Sequence, residues 1–120
     1  MHRLVPATFA TATFALAACG GVDERPATLE YVTAAVLAPN CGNAQCHSSF
    51  SEAGGYAFDT VDVARESIRN FALVDVDQPD ASLLYTVLTR SIDRMPYDQP
   101  LPDTDIDLIL RWIENGAPGL

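Results

Sequence analysis

The sequence contains no lysine. All seven of its basic residues are arginines, set against 16 acids for a formal charge of −9. Such a balance repels a phosphate backbone rather than gripping it, which excludes nucleic acid as a partner. An acidic surface of this kind is first of all a solubility device. Histidine, methionine and tryptophan are nearly as scarce, at two, two and one, so any site built on imidazole or thioether has few residues to draw on. The 120 residues imply one domain with one modest core and leave no room for a second, catalytic one. Apolar residues make up 48% of the chain, which excludes a disordered tail, although much of that apolarity lies in the first eighteen residues.

Those first residues have the layout of a secretory signal peptide: His2 and Arg3, then an apolar and small-residue run from Leu4 to Ala18. The run is short for a bilayer span and contains Pro6. It ends in Leu16-Ala17-Ala18-Cys19-Gly20, which resembles the lipobox of bacterial lipoproteins. The resemblance implies export to the periplasmic side, with residues 1–18 removed and Cys19 acylated as the first mature residue. Gly20 at the next position implies the outer rather than the inner membrane. A plain signal peptide with an incidental cysteine is the alternative. Residues 19–27 then form the lipidated cysteine and a short polar tether. The mature chain has 120 − 18 = 102 residues and keeps one histidine, His47, and one methionine, Met95.

Residues 28–120 read as an all-α domain of three to four short helices joined by long loops. Thr28 can cap a first helix with Leu29, Val32 and Val36 at helical spacing, stopped by Pro39. The stretch from Ser48 to Phe58 is an irregular connection. A second helix carries Val61, Ala64, Ile68 and Phe71, with Asp59 or Thr60 as its cap. The chain is extended over Val74 to Gln78. Pro79 and Asp80 then introduce a third helix with Leu83, Leu84, Val87 and Leu88. From Met95 to Pro102 three prolines forbid a continuous helix. The last helix starts at Asp103 or Thr104, with Thr104 and Asp107 spaced as a capping box. Its inner face is Ile106, Ile109, Leu110 and Ile113, and Asn115-Gly116 ends it. So small a helical chain often completes its core with a staple, a metal or a cofactor.

The chemistry is concentrated in Cys41-Gly42-Asn43-Ala44-Gln45-Cys46-His47. In c-type haem attachment two cysteines form thioethers to the vinyl groups, and the histidine after the second cysteine ligates the iron. The usual spacing is C-x-x-C-H, whereas this one is C-x4-C-H. Helical positions three apart lie about 60° from each other and positions five apart about 140°, so the two extra residues must loop out. Gly42 and Asn43 tolerate the unusual backbone angles of such a loop. The Cys46-His47 junction is unaltered, so the departure bears on the first thioether more than on the iron ligand. The alternatives are a plain Cys41-Cys46 disulfide in an oxidising compartment, a zinc site with only three such ligands where four are usual, and a Cys-His nucleophile whose adjacent residues project differently.

From about Thr28 to Pro118 the chain resembles the small cytochrome c domains of planctomycetes and myxobacteria, which include C-x4-C-H variants. The segments that carry the resemblance are Cys41-x4-Cys46-His47, Gly55-Tyr56-Ala57-Phe58-Asp59, Gln78-Pro79-Asp80-Ala81-Ser82-Leu83-Leu84-Tyr85, Arg94-Met95-Pro96 and Trp112-Ile113-Glu114-Asn115-Gly116-Ala117-Pro118. Tyr56-Ala57-Phe58 departs from the family's more aliphatic pattern. The resemblance implies a cytochrome c-like bundle around one covalent haem c, with His47 and Met95 as axial ligands and Trp112 packed nearby. Bis-histidine ligation is impossible within a mature chain that has one histidine. Arg94, with Arg65, Arg69 and Arg90 as further candidates, would neutralise the haem propionates through its planar fork. An iron with both axial positions filled has no vacant site for substrate, so the expected function is one-electron transfer to or from a partner protein, not catalysis. A haem enzyme such as a peroxidase, with Met95 displaced, and a haem-free lipoprotein module with a Cys41-Cys46 disulfide are the competing functions.

Overall fold

Thr28 starts the first helix as expected: its backbone is extended and its side chain accepts the Tyr31 N–H. In the computed structural model, which describes residues 20–120, this helix, α1, has an α-helical turn over Leu29–Val32. It widens into a π-helical segment over Thr33–Leu37 and closes with a last turn over Ala38–Asn40. The signal peptide and Cys19 lie outside the described residues. Pro39 therefore does not stop α1 but sits in its final turn. Proline lacks an N–H and its ring collides with the carbonyl four residues back. The wide turn just before it relieves that collision, and the Asn40 side chain donates to the Val36 carbonyl at 2.8 Å.

The connection from Ser48 to Phe58 is irregular as expected, apart from a 3-10 turn over Ala53–Gly55. Helix α2, Val61–Asn70, is capped by Thr60, whose hydroxyl faces the Val63 N–H. Asp59 is engaged elsewhere, accepting both the amide and the hydroxyl of Ser49 at 2.9 Å. Ala64 and Ile68 are buried, whereas Phe71 falls past the end of α2 and is half exposed. The stretch from Val74 to Gln78 bends instead of extending, because the Asp75 carboxylate accepts the amides of Asp77 and Gln78. Pro79 opens a separate 3-10 turn, Pro79–Ala81, and helix α3 begins only after the buried Ser82, spanning Leu83–Thr89. The Ser82 hydroxyl accepts the Asp75 amide at 2.9 Å, which ties the bend to the start of α3.

Helix α4 spans Asp103–Glu114 with Pro102 at its N-cap, and the expected Thr104/Asp107 capping box does not form. Asp103 and Asp105 in its first turn face the positive end of the helix dipole. Its buried residues are Leu108, Ile109, Trp112 and Ile113; of the expected inner face Ile109 and Ile113 are buried and Ile106 packs at the edge of the core, while Leu108 and Trp112 join it and Leu110 does not. Positions 108 and 112 form one row of neighbours four apart and 109 and 113 another, and the large indole draws the face toward itself. Asn115-Gly116 ends the helix as expected. Gly116 takes φ +86°, and the amides of Gly116 and Ala117 bond back to Ile113 and Trp112.

α1 packs on α2 and α4, and α3 packs on α4. Leu29, Val32, Val36, Leu37, Ile68, Leu88, Leu108, Ile109 and Trp112 form one continuous core. The described residues are helical with no strand, and none of their helices is long and apolar enough to cross a membrane. The expected tether is not free along its whole length. From Asp23 the chain is strapped to α4: Arg25 reaches Asp105 and the Thr104 carbonyl at 2.6 Å each, and Arg111 donates to the carbonyls of Asp23 and Arg25. The Arg25 side chain and its backbone amide hold the Asp23 carboxyl down to about 2.

Trp112 is fully buried and donates its indole N–H to the Pro118 carbonyl at 3.0 Å. Trp112→Phe should lower stability by about 1–3 kcal/mol through the lost bond and the space left behind. Urea unfolding is the measurement, and an unchanged midpoint would show that this bond contributes nothing.

Candidate functional site

Where α1 runs out, the chain folds directly into the cysteine loop. The amides of Cys41 and Gly42 both bond to the Leu37 carbonyl, at 2.7 and 2.9 Å. The loop is closed by the His47 amide, which donates to the Cys41 carbonyl at 2.9 Å. Inside this closure the Cys46 amide bonds to the Asn43 carbonyl and Asn43–Gln45 stand exposed. The additional residues of the C-x4-C spacing are looped out, as the helical geometry demanded. Gly42 is required for a different reason from the one expected. Its backbone lies so close to the next segment that a Cβ would sit 2.7 Å from the Asp59 nitrogen and 2.8 Å from the Phe58 carbonyl carbon. Close approach, not an unusual φ, selects glycine here.

His47 is held on both its backbone and its ring. Its carbonyl accepts the Phe58 amide at 2.7 Å, and its Nδ1 lies 2.7 Å from the Ala53 carbonyl. A carbonyl can only accept, so Nδ1 is the donor, and the tautomer this selects has its lone pair on Nε2. The imidazole stands against the rings of Tyr56 and Phe58, at centroid distances of 5.7 and 5.6 Å. Those two rings are stacked on each other at 6.4 Å.

Tyr56 and Phe58 are also the link to an apolar groove of about 190 Å³, whose wall includes Cys41, Leu73, Leu84, Val87, Leu88 and Met95. Met95 is fixed there by its amide, which donates to the Val87 carbonyl at 2.9 Å. The groove is smaller than the ~300–1,000 Å³ of pockets that enclose a whole ligand, so a flat group lodged in it keeps an exposed edge. A larger, polar recess of about 650 Å³ lies between Asn40, Asn43 and the 96–103 segment, and none of the sulfur or imidazole groups lines it.

The sulfurs differ in environment. Cys41 is half-buried on the groove wall, and burial, helped by the neighbouring Cys46, pushes its thiol up to about 11. Cys46 is exposed and outside the groove, and both cysteines are free thiols. Among the candidate cations, Arg90 lines the groove while bonding the Asp93 carbonyl. Arg94, beside Met95, buries its Nε with no hydrogen-bond partner. Arg65 is committed elsewhere, to Asp62 and the Gly119 carbonyl, and Arg69 is exposed on the last turn of α2.

The structure thus brings Cys41, Met95 and Arg90 to one groove, with His47 joined to it through Tyr56 and Phe58. Trp112 lies in the core and off the groove wall, its N–H used by Pro118. The wall residues Tyr56 and Phe58 had no assigned role in the sequence reading. Their spacing of two about Ala57, whose amide bonds to the buried Ser67 hydroxyl on the other side, is the alternation of a segment with one face toward a cavity. No protein-family model, no curated protein and no solved structure matches this chain.

Gly42→Ala should strain the cysteine loop against Asp59 by about 1–3 kcal/mol, seen as a lowered thermal midpoint and lost order in the amide signals of Cys41 to His47. An unperturbed loop would contradict the close approach. Iodoacetamide at neutral pH should modify Cys46 well before Cys41. The Cys41 rate should climb only as the pH nears its raised value, because the thiolate is the nucleophile. Equal rates at neutral pH would reject the burial of Cys41.

Proposed function

We propose that the mature chain is an exported, lipid-anchored one-electron carrier on the periplasmic side. It holds a single haem c attached through Cys41 and Cys46 and ligated by His47 and Met95. The observation that carries this reading is the hydrogen bond from His47 Nδ1 to the Ala53 carbonyl. It presents Nε2 as a donor with its orientation already set, the arrangement typical of a metal-bound imidazole.

The other groups fit the same ligand. The groove offers an apolar wall with a thioether and a thiol in it, suited to a porphyrin face, and soft sulfur is the complement to iron that His47 lacks. The buried, unpartnered Arg94 Nε is an orphan donor that costs stability until an acceptor arrives, and a haem propionate is such an acceptor. The exposure of Cys46 suits a thioether at the open edge. A bound haem supplies a reversible one-electron couple, and a methionine ligand raises its potential.

The chain's own residues do the rest. Ala53 fixes the imidazole tautomer, the Val87 carbonyl fixes the Met95 backbone, and Tyr56 and Phe58 keep water from one side. With His47 and Met95 both holding the iron, no position would be left for a substrate, so the bound group would carry electrons rather than turn a substrate over. Its redox partner is a protein able to meet an acidic surface.

The test is a covalent haem stain and intact mass of the mature chain made in a host with cytochrome c maturation. Haem adds its mass, whereas a haem-free module with a Cys41-Cys46 disulfide loses two hydrogens and refutes the proposal. In the oxidised holoprotein the weak far-red sulfur-to-iron band should be present. Met95→Ala should abolish it, turn the iron high-spin and admit imidazole. His47→Ala and Cys46→Ala should each abolish stable holoprotein, while Cys41→Ala should retain some haem through one thioether. A far-red band that survives Met95→Ala removes Met95 from the ligand set.

A further inference from the structure

Ala53 grips the Cys46-His47 pair at two points. Its amide donates to the Cys46 carbonyl at 3.0 Å, and its carbonyl accepts from His47 Nδ1 at 2.7 Å. The same carbonyl also accepts the Tyr56 amide at 3.3 Å, so both of its lone pairs are used. Ala53 sits in a turn of unusual backbone. Glu52 before it has φ +43°, and Gly54 and Gly55 after it have φ +66° and +83°. A left-handed glutamate costs about 1–3 kcal/mol and persists only where its surroundings over-determine it.

A pair of rings supplies that constraint. Gly54 lies under Tyr56, since a Cβ there would stand 3.1 Å from Tyr56 Cε2. Gly55 lies under Phe71, whose Cζ would be 3.3 Å from the corresponding Cβ. The two rings meet edge to face, with centroids 4.7 Å apart and planes at 74°, a geometry that adds about 0.5–1.5 kcal/mol beyond the area it buries. Ser67, one turn before Phe71 on α2, takes the Ala57 amide at 2.9 Å, so the end of α2 holds this segment at two neighbouring places. Phe71 itself is 46% exposed and belongs neither to the core cluster nor to the groove wall. Its packing falls on the turn.

We propose that Phe71 is a positioning residue for the iron ligand. Its ring, seated on Gly55 and against Tyr56, keeps the Ala53 carbonyl on His47 Nδ1 and so sets how strongly the imidazole donates. The inference rests on ligation of the haem iron by His47, and adds a residue off the groove wall that acts through the turn. A carbonyl on the far ring nitrogen raises the basicity of a ligating imidazole. The more basic ring favours ferric over ferrous iron, so slackening this bond raises the reduction potential.

The test compares Phe71→Ala and Phe71→Tyr in the haem-loaded protein, with Leu110→Ala as a control on α4, outside the turn and the groove wall. Redox titration should place Phe71→Ala above the parent by an about threefold or larger loss of ferric preference, which is about 28 mV for one electron at about 59 mV per tenfold. The His47 Nδ1 proton, followed by NMR in the reduced protein, should exchange with deuterium several-fold faster. Phe71→Tyr, which keeps the ring, should hold both parent values. Leu110→Ala should lower the thermal midpoint and move neither. If Phe71→Ala loads no haem, Phe71→Leu takes its place, with a smaller shift in the same direction. An unchanged potential and exchange rate in the variant that loads, or an equal shift in Leu110→Ala or Phe71→Tyr, overturns the role. A parent chain whose mass contains no haem overturns the ligation on which the role rests, and is recognised before any variant is measured.

Discussion

One carbonyl oxygen joins the two ends of this domain. Pro118 accepts the backbone amide of Leu29 at the start of α1 and the indole N–H of Trp112 from α4, at 2.9 and 3.0 Å. A carbonyl has two lone pairs, and here both meet donors that are otherwise buried without a partner. Trp112 could not sit fully inside the core with its N–H unpaired, since an unmet buried donor costs about 1–3 kcal/mol. Satisfying it lets the largest side chain of the domain fill the space between α1 and α4. Gly116 makes that possible one step earlier, because its positive φ turns the chain after Asn115 and brings Pro118 back over the indole.

The cysteine loop hangs from this frame. α1 is positioned at its start by Pro118 and along its length by the core, so its end, at Asn40, is set in space. The loop then gains its shape from short bonds within itself: His47 to Cys41, Cys46 to Asn43, and Phe58 back to His47. The closure explains how a spacing longer by two residues still delivers a histidine to the neighbourhood of the groove. The excess length is stored in exposed residues while the backbone of Cys41 and His47 is stitched together. It also explains the contrast between the two thiols, since the first is still part of the packed end of α1 and the second is already on the outward arc.

Local signals in the sequence were sufficient for several of these features. Thr28, Thr60 and Asn115-Gly116 mark helix ends because a cap depends on a few neighbouring atoms, and the all-α reading follows from apolar spacing in the same way. What was not legible depended on distant partners. Thr104 and Asp107 have capping-box spacing, yet Arg25, some 80 residues away, takes the Thr104 carbonyl and Asp105, and the N-cap position falls to Pro102, without a side-chain cap. The inner face of α4 shifted by the packing of Trp112, which no period reveals. The strap was read as a tether because Asp23-Glu24-Arg25 is a charged, Gly-flanked stretch until its arginine finds α4. Gly42 was chosen for the right loop and the wrong reason, since a close approach by Phe58 and Asp59 cannot be read from residues 41–47. Of the candidate site residues, Cys41 and Met95 share the groove and His47 stands beside it, while Trp112 belongs to the core.

The distribution of the arginines gives the site an electrostatic logic that composition alone does not show. In a chain with a formal charge of −9, Arg25 and Arg111 are consumed by the strap, and Arg65 by Asp62, Glu30 and the Gly119 carbonyl. Of the rest, Arg90 and Arg94 flank the Met95 loop, one on the groove wall and one with a buried, unpaired Nε. A buried guanidinium nitrogen without an acceptor is unfavourable in the protein alone. It becomes favourable if a carboxylate is brought to it, because a charge-assisted bond in a low-dielectric setting is stronger than one in water. On the haem reading the cofactor delivers two carboxylates to a protein already rich in negative charge. Arg90 and Arg94 are the cations nearest the groove to meet them. The same loop carries the Met95 thioether, so a haem bound there would meet its charge partner and its sulfur on one segment.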